Sequence, residues 1–200
     1  MPINLADLPM PITLRPATPL SDDDLMRFSA QNKPYKIERN KDGELTIMTP
    51  VGGIGSTHEL DVSFALKDWT IANGTGIAFS PSTGFNLPDG SCLSSAAAWL
   101  PLTRWNALTS KEQADSPPLC PEFLIEIRSQ SDSRRLLEAK MQLWIDNGAQ
   151  LAWLIDPIEA NVAIYRPAEP TETLERPDLL LGHPPVAGFE LHTTHLWLAL

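Results

Sequence analysis

Residues 36–50, KIERNKDGELTIMTP, alternate apolar and polar on either side of Asp42-Gly43, with Leu45, Ile47 and Thr49 on one face. A period of two around an Asp-Gly pair predicts a hairpin. The period changes over 57–73, where Leu60, Phe64 and Ile71, with Val62, Leu66 and Trp69 beside them, recur at helical spacing before Gly74 and Gly76. That spacing predicts a helix ended by glycine. From Ile77 to Leu100, short apolar runs (IAFS, TGFNL, CLSSAAAWL) are separated by turn residues, and Pro88-Asp89-Gly90 reads as the turn closing a strand pair. A short helix is expected around Arg104 to Leu108. Glu122 to Ser129, EFLIEIRS, is apolar on both faces, as a central strand is. Ser131, Asp132 or Ser133 can cap the next helix, residues 134–147, which Gly148 terminates. QLAWLID and NVAIYRP predict two more strands around Asp156-Pro157, and a turn-rich tail leads to a final apolar stretch over 196–200. At the other end, residues 1–20 are proline-rich and read as an extended arm, and Ser21 caps a short helix with an acidic first turn, running to Ser29. The expected division is an arm over 1–20 and one domain over 21–200.

Composition narrows the choice of function. Nineteen prolines in 200 residues exclude a long helical bundle. With 42% hydrophobic and 20% charged residues the chain is ordinary for a globular protein. No apolar run approaches the roughly 18 residues that span a bilayer, and the first residues lack a basic start followed by an apolar stretch. The expected location is therefore the cytoplasm, away from membranes. The net charge of −10 disfavours nucleic-acid binding through bulk electrostatics, so any DNA contact must come from a local basic patch. Cys92 and Cys120 form no CxxC pair and read as buried apolar residues.

The chemistry concentrates in two elements. Strand periodicity puts Glu126 and Arg128 on one face of EFLIEIRS, with Ile125 and Ile127 on the other. A carboxylate there costs several kcal/mol unless a metal, a cation or hydrogen-bond donors compensate it. A structural pair with Arg128 or with Lys140 would suffice. On the following helix Leu137, Met141, Trp144 and Gly148 make an apolar stripe, and Lys140 lies within its edge, facing inward. Elsewhere the signals are weaker. Glu38 sits in the first hairpin, with Lys36 and Arg39 as alternative ion-pair partners. His58 and Glu59 read as solvent-facing and open no zincin motif, since Val62 stands where the second histidine belongs. His192 and His195 show no acidic neighbour in sequence, and no GxSxG elbow is present.

The runs IERNKDGELTIMTP, STGFNLPDG, SSAAAWL, PPLCPEFLIEIRSQSD, EAKMQLWIDNGAQLAWLIDP and VAIYRP resemble, in order and over about residues 20 to 190, the Uma-two family of restriction endonucleases within the PD-(D/E)XK nuclease superfamily. The resemblance implies an α/β (α+β) restriction-endonuclease-like fold, a mixed central sheet flanked by helices, and a homodimer that cleaves DNA with Mg²⁺ or Mn²⁺. It assigns Glu126 and Lys140 as catalytic, Glu126 as a metal ligand and Glu38 as a second one. Two carboxylates would hold a metal that polarises phosphate and activates water, with the lysine placing the nucleophile or offsetting charge. At the family's aspartate, in a run like SPDAAW, this chain has Ala96. Asp89, in the PDG turn, is expected at the far end of the strand. The implied activities are thus two: a metal-dependent endonuclease with a substituted site, or an inactive nuclease-fold protein that binds DNA or protein. Arg104, Lys111, Arg128, Arg134 and Arg135 bracket the proposed cleft as DNA contacts, Arg134 and Arg135 at a helix N-terminus suited to phosphate; ordinary surface charge balancing Glu138 is the alternative.

Overall fold

The computed structural model describes residues 10–197. In chain order its elements are β1 (Ile12–Leu14), α1 (Asp22–Gln31), β2 (Lys36–Arg39), β3 (Leu45–Met48), α2 (Gly53–Asn73), β4 (Gly76–Phe79), β5 (Phe85–Asn86), β6 (Cys92–Leu93) and β7 (Ala97–Pro101), then α3 (Leu102–Trp105), α4 (Ser110–Ala114), β8 (Phe123–Ile127), α5 (Arg134–Asp146), β9 (Leu151–Asp156), β10 (Asn161–Tyr165), β11 (Glu172–Glu175), β12 (Leu179–Leu181) and β13 (Glu190–His192), with a closing 3-10 turn at Thr194–Trp197. A six-stranded sheet in the order β11-β10-β9-β8-β7-β4 forms the centre, and a five-stranded sheet in the order β1-β3-β2-β6-β5 is joined to it where the chain passes from β6 to β7. The fold is a mixed α/β one: β8 and β9 run parallel across the connection made by α5, and their other neighbours run antiparallel.

The two faces of the central sheet explain why EFLIEIRS is apolar throughout. Phe123 and Ile125 join Trp153, Ile155, Val62, Leu66 and Phe189 in a core on the α2 side. Leu124 turns the other way, to Leu154, Ala152, Met141 and Trp144 of the α5 side. Edge-on packing of Phe123 on Trp153, ring centres 4.9 Å apart, and the near-parallel Trp153–Phe189 pair fill the first core with broad aromatic surface.

Several expectations change in the structure. The run CLSSAAAWL does not make one strand: Cys92–Leu93 pairs in the five-stranded sheet and Ala97–Pro101 in the six-stranded one, so Ser94, Ser95 and Ala96 form the passage between sheets. The turn at Pro88-Asp89-Gly90 closes β5 on β6 as predicted. The long helix begins at Gly53 instead of 57, and Gly74 ends it with a left-handed φ of 71° that suits a residue without a side chain. It is also oriented differently. His58, Val62, Leu66 and Thr70 are its buried positions, and Leu60, Phe64 and Ile71 are exposed. The segment expected as one helix near Arg104 is two short ones, α3 and α4, the second opened by a capping box between Thr109 and Glu112. Of the expected arm, residues 1–9 lie outside the described residues, and Ile12–Leu14 pairs with β3. The end of the last apolar stretch, 198–200, also lies outside them.

Candidate active site

Where the two sheets meet, four elements contribute polar groups to one buried point. Glu38 comes from β2, Glu126 from the C-terminal half of β8, Lys140 from the middle of α5, and Ser94 from the passage between β6 and β7. The Lys140 Nζ lies 2.8 Å from Glu126 Oε1 and 2.9 Å from Glu38 Oε1, and it donates to the Ser94 carbonyl at 2.7 Å. All three donors of the ammonium are thus used, and water is not needed to satisfy it. Glu38 Oε1 also accepts from the backbone N–H and the hydroxyl of Ser94, both at 3.1 Å, and Glu126 Oε1 accepts from the Trp144 indole at 3.3 Å.

Electrostatics follow from burial and this pairing. Burial pushes the Glu38 carboxyl up, but Lys140 and then Lys36, whose Nζ is 3.8 Å away, outweigh it and hold it below the ordinary carboxylate value. Burial likewise works against the Lys140 ammonium, yet the charges of Glu126 and then Glu38 hold it above the ordinary lysine range. One ammonium is thus shared by two buried carboxyl groups. A further carboxyl belongs to this neighbourhood. Glu59, on α2, is half-buried, and burial together with the negative charges of Glu126 and Asp132 raises it, with Lys36 opposing. Sequence reasoning placed Glu59 in solvent because α2 is apolar on both sides, and no periodicity argument says which side meets the sheet.

Ala96 lies in the bend that leads from the Ser94 passage into β7, and the β7–β8 ladder begins one residue later, with Ala97 opposite Ile125 and Ala98 opposite Leu124. The alanine is buried; its carbonyl accepts from the Ser63 hydroxyl at 3.0 Å, and its methyl joins the core under α2. Asp89 is not brought near: its carboxylate turns back to the Ser91 N–H, and its own N–H is bonded to Asn147.

The Glu38, Glu126 and Lys140 arrangement does not fit Mg²⁺ or Mn²⁺ as it stands. Such a cation needs near-octahedral oxygen ligation, usually anchored on one or two carboxylates. Here one oxygen of each carboxylate is engaged by the ammonium, and Ala96 offers only a methyl, which packs into the core under α2. Among the described residues no three His, Cys, Asp or Glu side chains are grouped to hold a metal.

The remaining candidates are placed elsewhere. Arg128 and Arg134 converge on the buried Asp156, at 2.8 and 3.0 Å, and both also bind Glu159; Arg134 adds Glu138 and Asn161. Arg128 does not reach Glu126, so of the two pairings open for Glu126 only that with Lys140 forms. Arg104 pairs with Glu122 at 3.3 Å and donates to the Cys120 carbonyl, Lys111 lies 3.7 Å from Asp23, and Arg135 is exposed. Arg39, the alternative partner for Glu38, turns instead to Asp22 and to the carbonyls of Leu20 and Gly90. His58 is buried, which lowers its pKa, and its Nε2 has no hydrogen-bond partner among the described residues. His195 has the acidic neighbour that the sequence did not show: Asp61 of α2, at 3.3 Å. Cys92 and Cys120 are buried as expected, and burial pushes both thiols up to about 12.

A family model described as "Uma2: Putative restriction endonuclease" matches residues 22–194 of this chain. No curated protein matches it. Among solved structures, the crystal structure of a "putative nuclease belonging to DUF820" from Anabaena variabilis ATCC 29413 is similar, with a TM-score of 0.71 and 20% sequence identity, over 90% of this chain and 98% of that one. At that identity the likeness speaks for the fold.

Proposed function

Because the chain belongs to the Uma2 family of restriction-endonuclease-type proteins, we propose that it is a nuclease-fold protein whose cleavage centre is silenced at a single position and which acts by binding instead of cutting. The observation that carries this reading is the buried alanine at position 96, whose methyl lies in the core under α2 and which offers no oxygen. The family pattern has an aspartate there, and hydrolysis by metal-activated water needs its oxygen. Lys140 supplies the positive charge that Glu38 and Glu126 require, so the acids persist without a metal. Binding to DNA has narrow support, since Arg104, Arg128 and Arg134 are engaged by acids of the same chain and the net charge is −10. A protein partner fits better. One observation favours a second reading, a metal-dependent endonuclease: Glu59 is half-buried close enough to Glu126 to feel its charge and would be the carboxylate that completes the site in place of Ala96.

Plasmid cleavage in Mg²⁺ or Mn²⁺ separates them, using the natural chain, Ala96→Asp, and Ala96→Asp combined with Glu126→Ala, each verified as folded by circular dichroism. The expected result is cutting by Ala96→Asp alone. Cutting by the natural chain that disappears in Glu59→Gln and in Glu126→Ala would overturn the silenced reading in favour of the enzyme. If no variant cuts, the scaffold has lost more than one catalytic group.

A further inference from the structure

Helix α2 is apolar on two opposite sides, and only one of them faces the core. Leu60, Phe64 and Ile71 are 67%, 70% and 68% exposed. At 3.6 residues per turn they lie within about 40° of one another, opposite the buried line of Val62 and Leu66. A helix apolar all round is ordinarily covered all round. The two flanks of this strip differ. Asp68 and Asp61 lie about 40° and 60° to one side of Phe64, two turns and so about 10 Å apart along the axis. On that same side a groove of about 390 Å³ runs between α2 and β13, with Phe64, Ala65 and Leu191 as apolar lining and Asp61 and Glu190 as acidic lining. His192 and His195 line it too, and His195 lies 3.3 Å from Asp61. Three accessible acids thus border the apolar surface on this side, and Lys67 stands about 60° to the other.

We propose that this strip and groove dock an amphipathic helix of a protein partner, one that carries Lys or Arg along one edge of its apolar face. The charge of the flank selects that occupant. A second copy of the chain, itself at −10, is opposed by net charge. Nucleic acid and anionic membranes meet like charge at Asp61, Asp68 and Glu190. A helix laid along the strip covers it with residues spaced i, i+3 or i+4, and i+7. Basic residues two turns apart on its flank then reach Asp61 and Asp68 together, because the acids have the same spacing. Covering Leu60 and Phe64 supplies most of the affinity, and the acidic edge fixes the orientation of the partner. The proposal rests on the reading that the chain acts by binding a protein, and it uses neither Ala96 nor the buried Lys140 set.

Fluorescence anisotropy of the full chain with labelled model peptides of about five helical turns tests this, at about pH 8, above the range in which histidine ordinarily titrates. The probes are an amphipathic Leu/Lys peptide, its Leu/Glu counterpart, and the Leu/Lys composition in scrambled order. The amphipathic Leu/Lys peptide is expected to bind saturably, one per chain, and at least about tenfold more tightly than the other two. Phe64→Ser, at an exposed position, should weaken it at least about tenfold with unchanged circular dichroism. Asp61→Lys with Asp68→Lys should turn the preference toward the Leu/Glu peptide. Asp146→Lys with Glu175→Lys, the same change of charge at exposed positions off α2, should leave the affinity within about twofold. No preference for the amphipathic Leu/Lys peptide, binding untouched by Phe64→Ser, or equal losses from the two charge swaps would overturn the proposal. So would a dimer in sedimentation velocity that Phe64→Ser dissociates, or binding to phosphatidylcholine vesicles that Phe64→Ser abolishes, which give the face to a second copy or to lipid. Plasmid cleavage enters none of these readouts: a natural chain that cuts DNA and binds the peptide loses the silenced reading and keeps this surface, and a chain that does neither loses the surface alone.

Discussion

Lys140 shows how one residue can be either a catalyst or a strut with the same contacts. Its ammonium lies 2.8 and 2.9 Å from two buried carboxyl groups and is the cation that compensates their burial inside the fold. Removing one partner of such a set leaves the others buried and uncompensated, which costs about 3–5 kcal/mol. Lys140→Met is therefore expected to lose about that much stability in urea unfolding at neutral pH. The pH dependence has a defined sign. Glu38 is held below its ordinary value of 4.5, so its contribution is present above pH 4.5 and is lost as pH falls through its lower folded value. Lys140 is held above its ordinary 10.5, so its contribution persists up to that pH and is lost only as pH rises through its higher folded value. The gap between the natural chain and Lys140→Met should thus be flat between these limits and close below pH 4.5; a gap that is absent at neutral pH would show that the ion set adds nothing. The Glu126–Lys140 pair was legible in the sequence, since a carboxylate in an apolar strand requires a cation and an inward lysine on the next helix is within reach. Glu38 was legible only as a hairpin acid with two nearby bases, because its connection to Lys140 spans two sheets.

At the scale of elements, a second ionic cluster ties the C-terminal ends of β8 and β9 to the start of α5 and of β10. Asp156, the last residue of β9, is fully buried; it accepts from Arg128 and Arg134 and from the N–H groups of Ile158 and Glu159 in the following turn. Asp156→Ala should lower stability by about 3 kcal/mol or more, because it frees two partly buried guanidiniums and opens the turn. Glu159→Ala, at a half-exposed carboxylate of the same cluster, should stay within about 1 kcal/mol. Equal effects of the two in denaturant unfolding would contradict this hierarchy. The cluster also changes the meaning of RSQSDSRR, whose basic residues resembled a phosphate contact in sequence. Helix α2 carries the same lesson: both of its stripes satisfy a helical period, and period alone does not say which one meets a sheet.

For the whole molecule, the bearing of a divalent cation is a stability question before it is a kinetic one. A ligand that binds only the folded state stabilises it by about 2.7 kcal/mol when present at a hundredfold its dissociation constant. Millimolar Mg²⁺ is expected to leave the melting temperature of the natural chain unchanged and to raise that of Ala96→Asp. A rise in the natural chain that Glu59→Gln abolishes would instead show the half-buried carboxyl completing a metal site.

What the sequence determined by itself is local or carried by order along the chain. The hairpin at Asp42-Gly43, the PDG turn, the strand that holds Glu126, the helix that holds Lys140 and the sequence of family-like runs each follow from periods, turn residues and spacing within a few tens of residues. Tertiary structure decided what depends on the juxtaposition of distant segments. It split CLSSAAAWL between two sheets, and it brought Glu38 to a lysine 102 residues away. It buried His58 and left Glu59 half-buried, and it turned Arg128 and Arg134 inward to Asp156. The physical reason is that a side chain's period fixes its face, whereas burial and partner depend on what that face meets, and only the packed molecule specifies that.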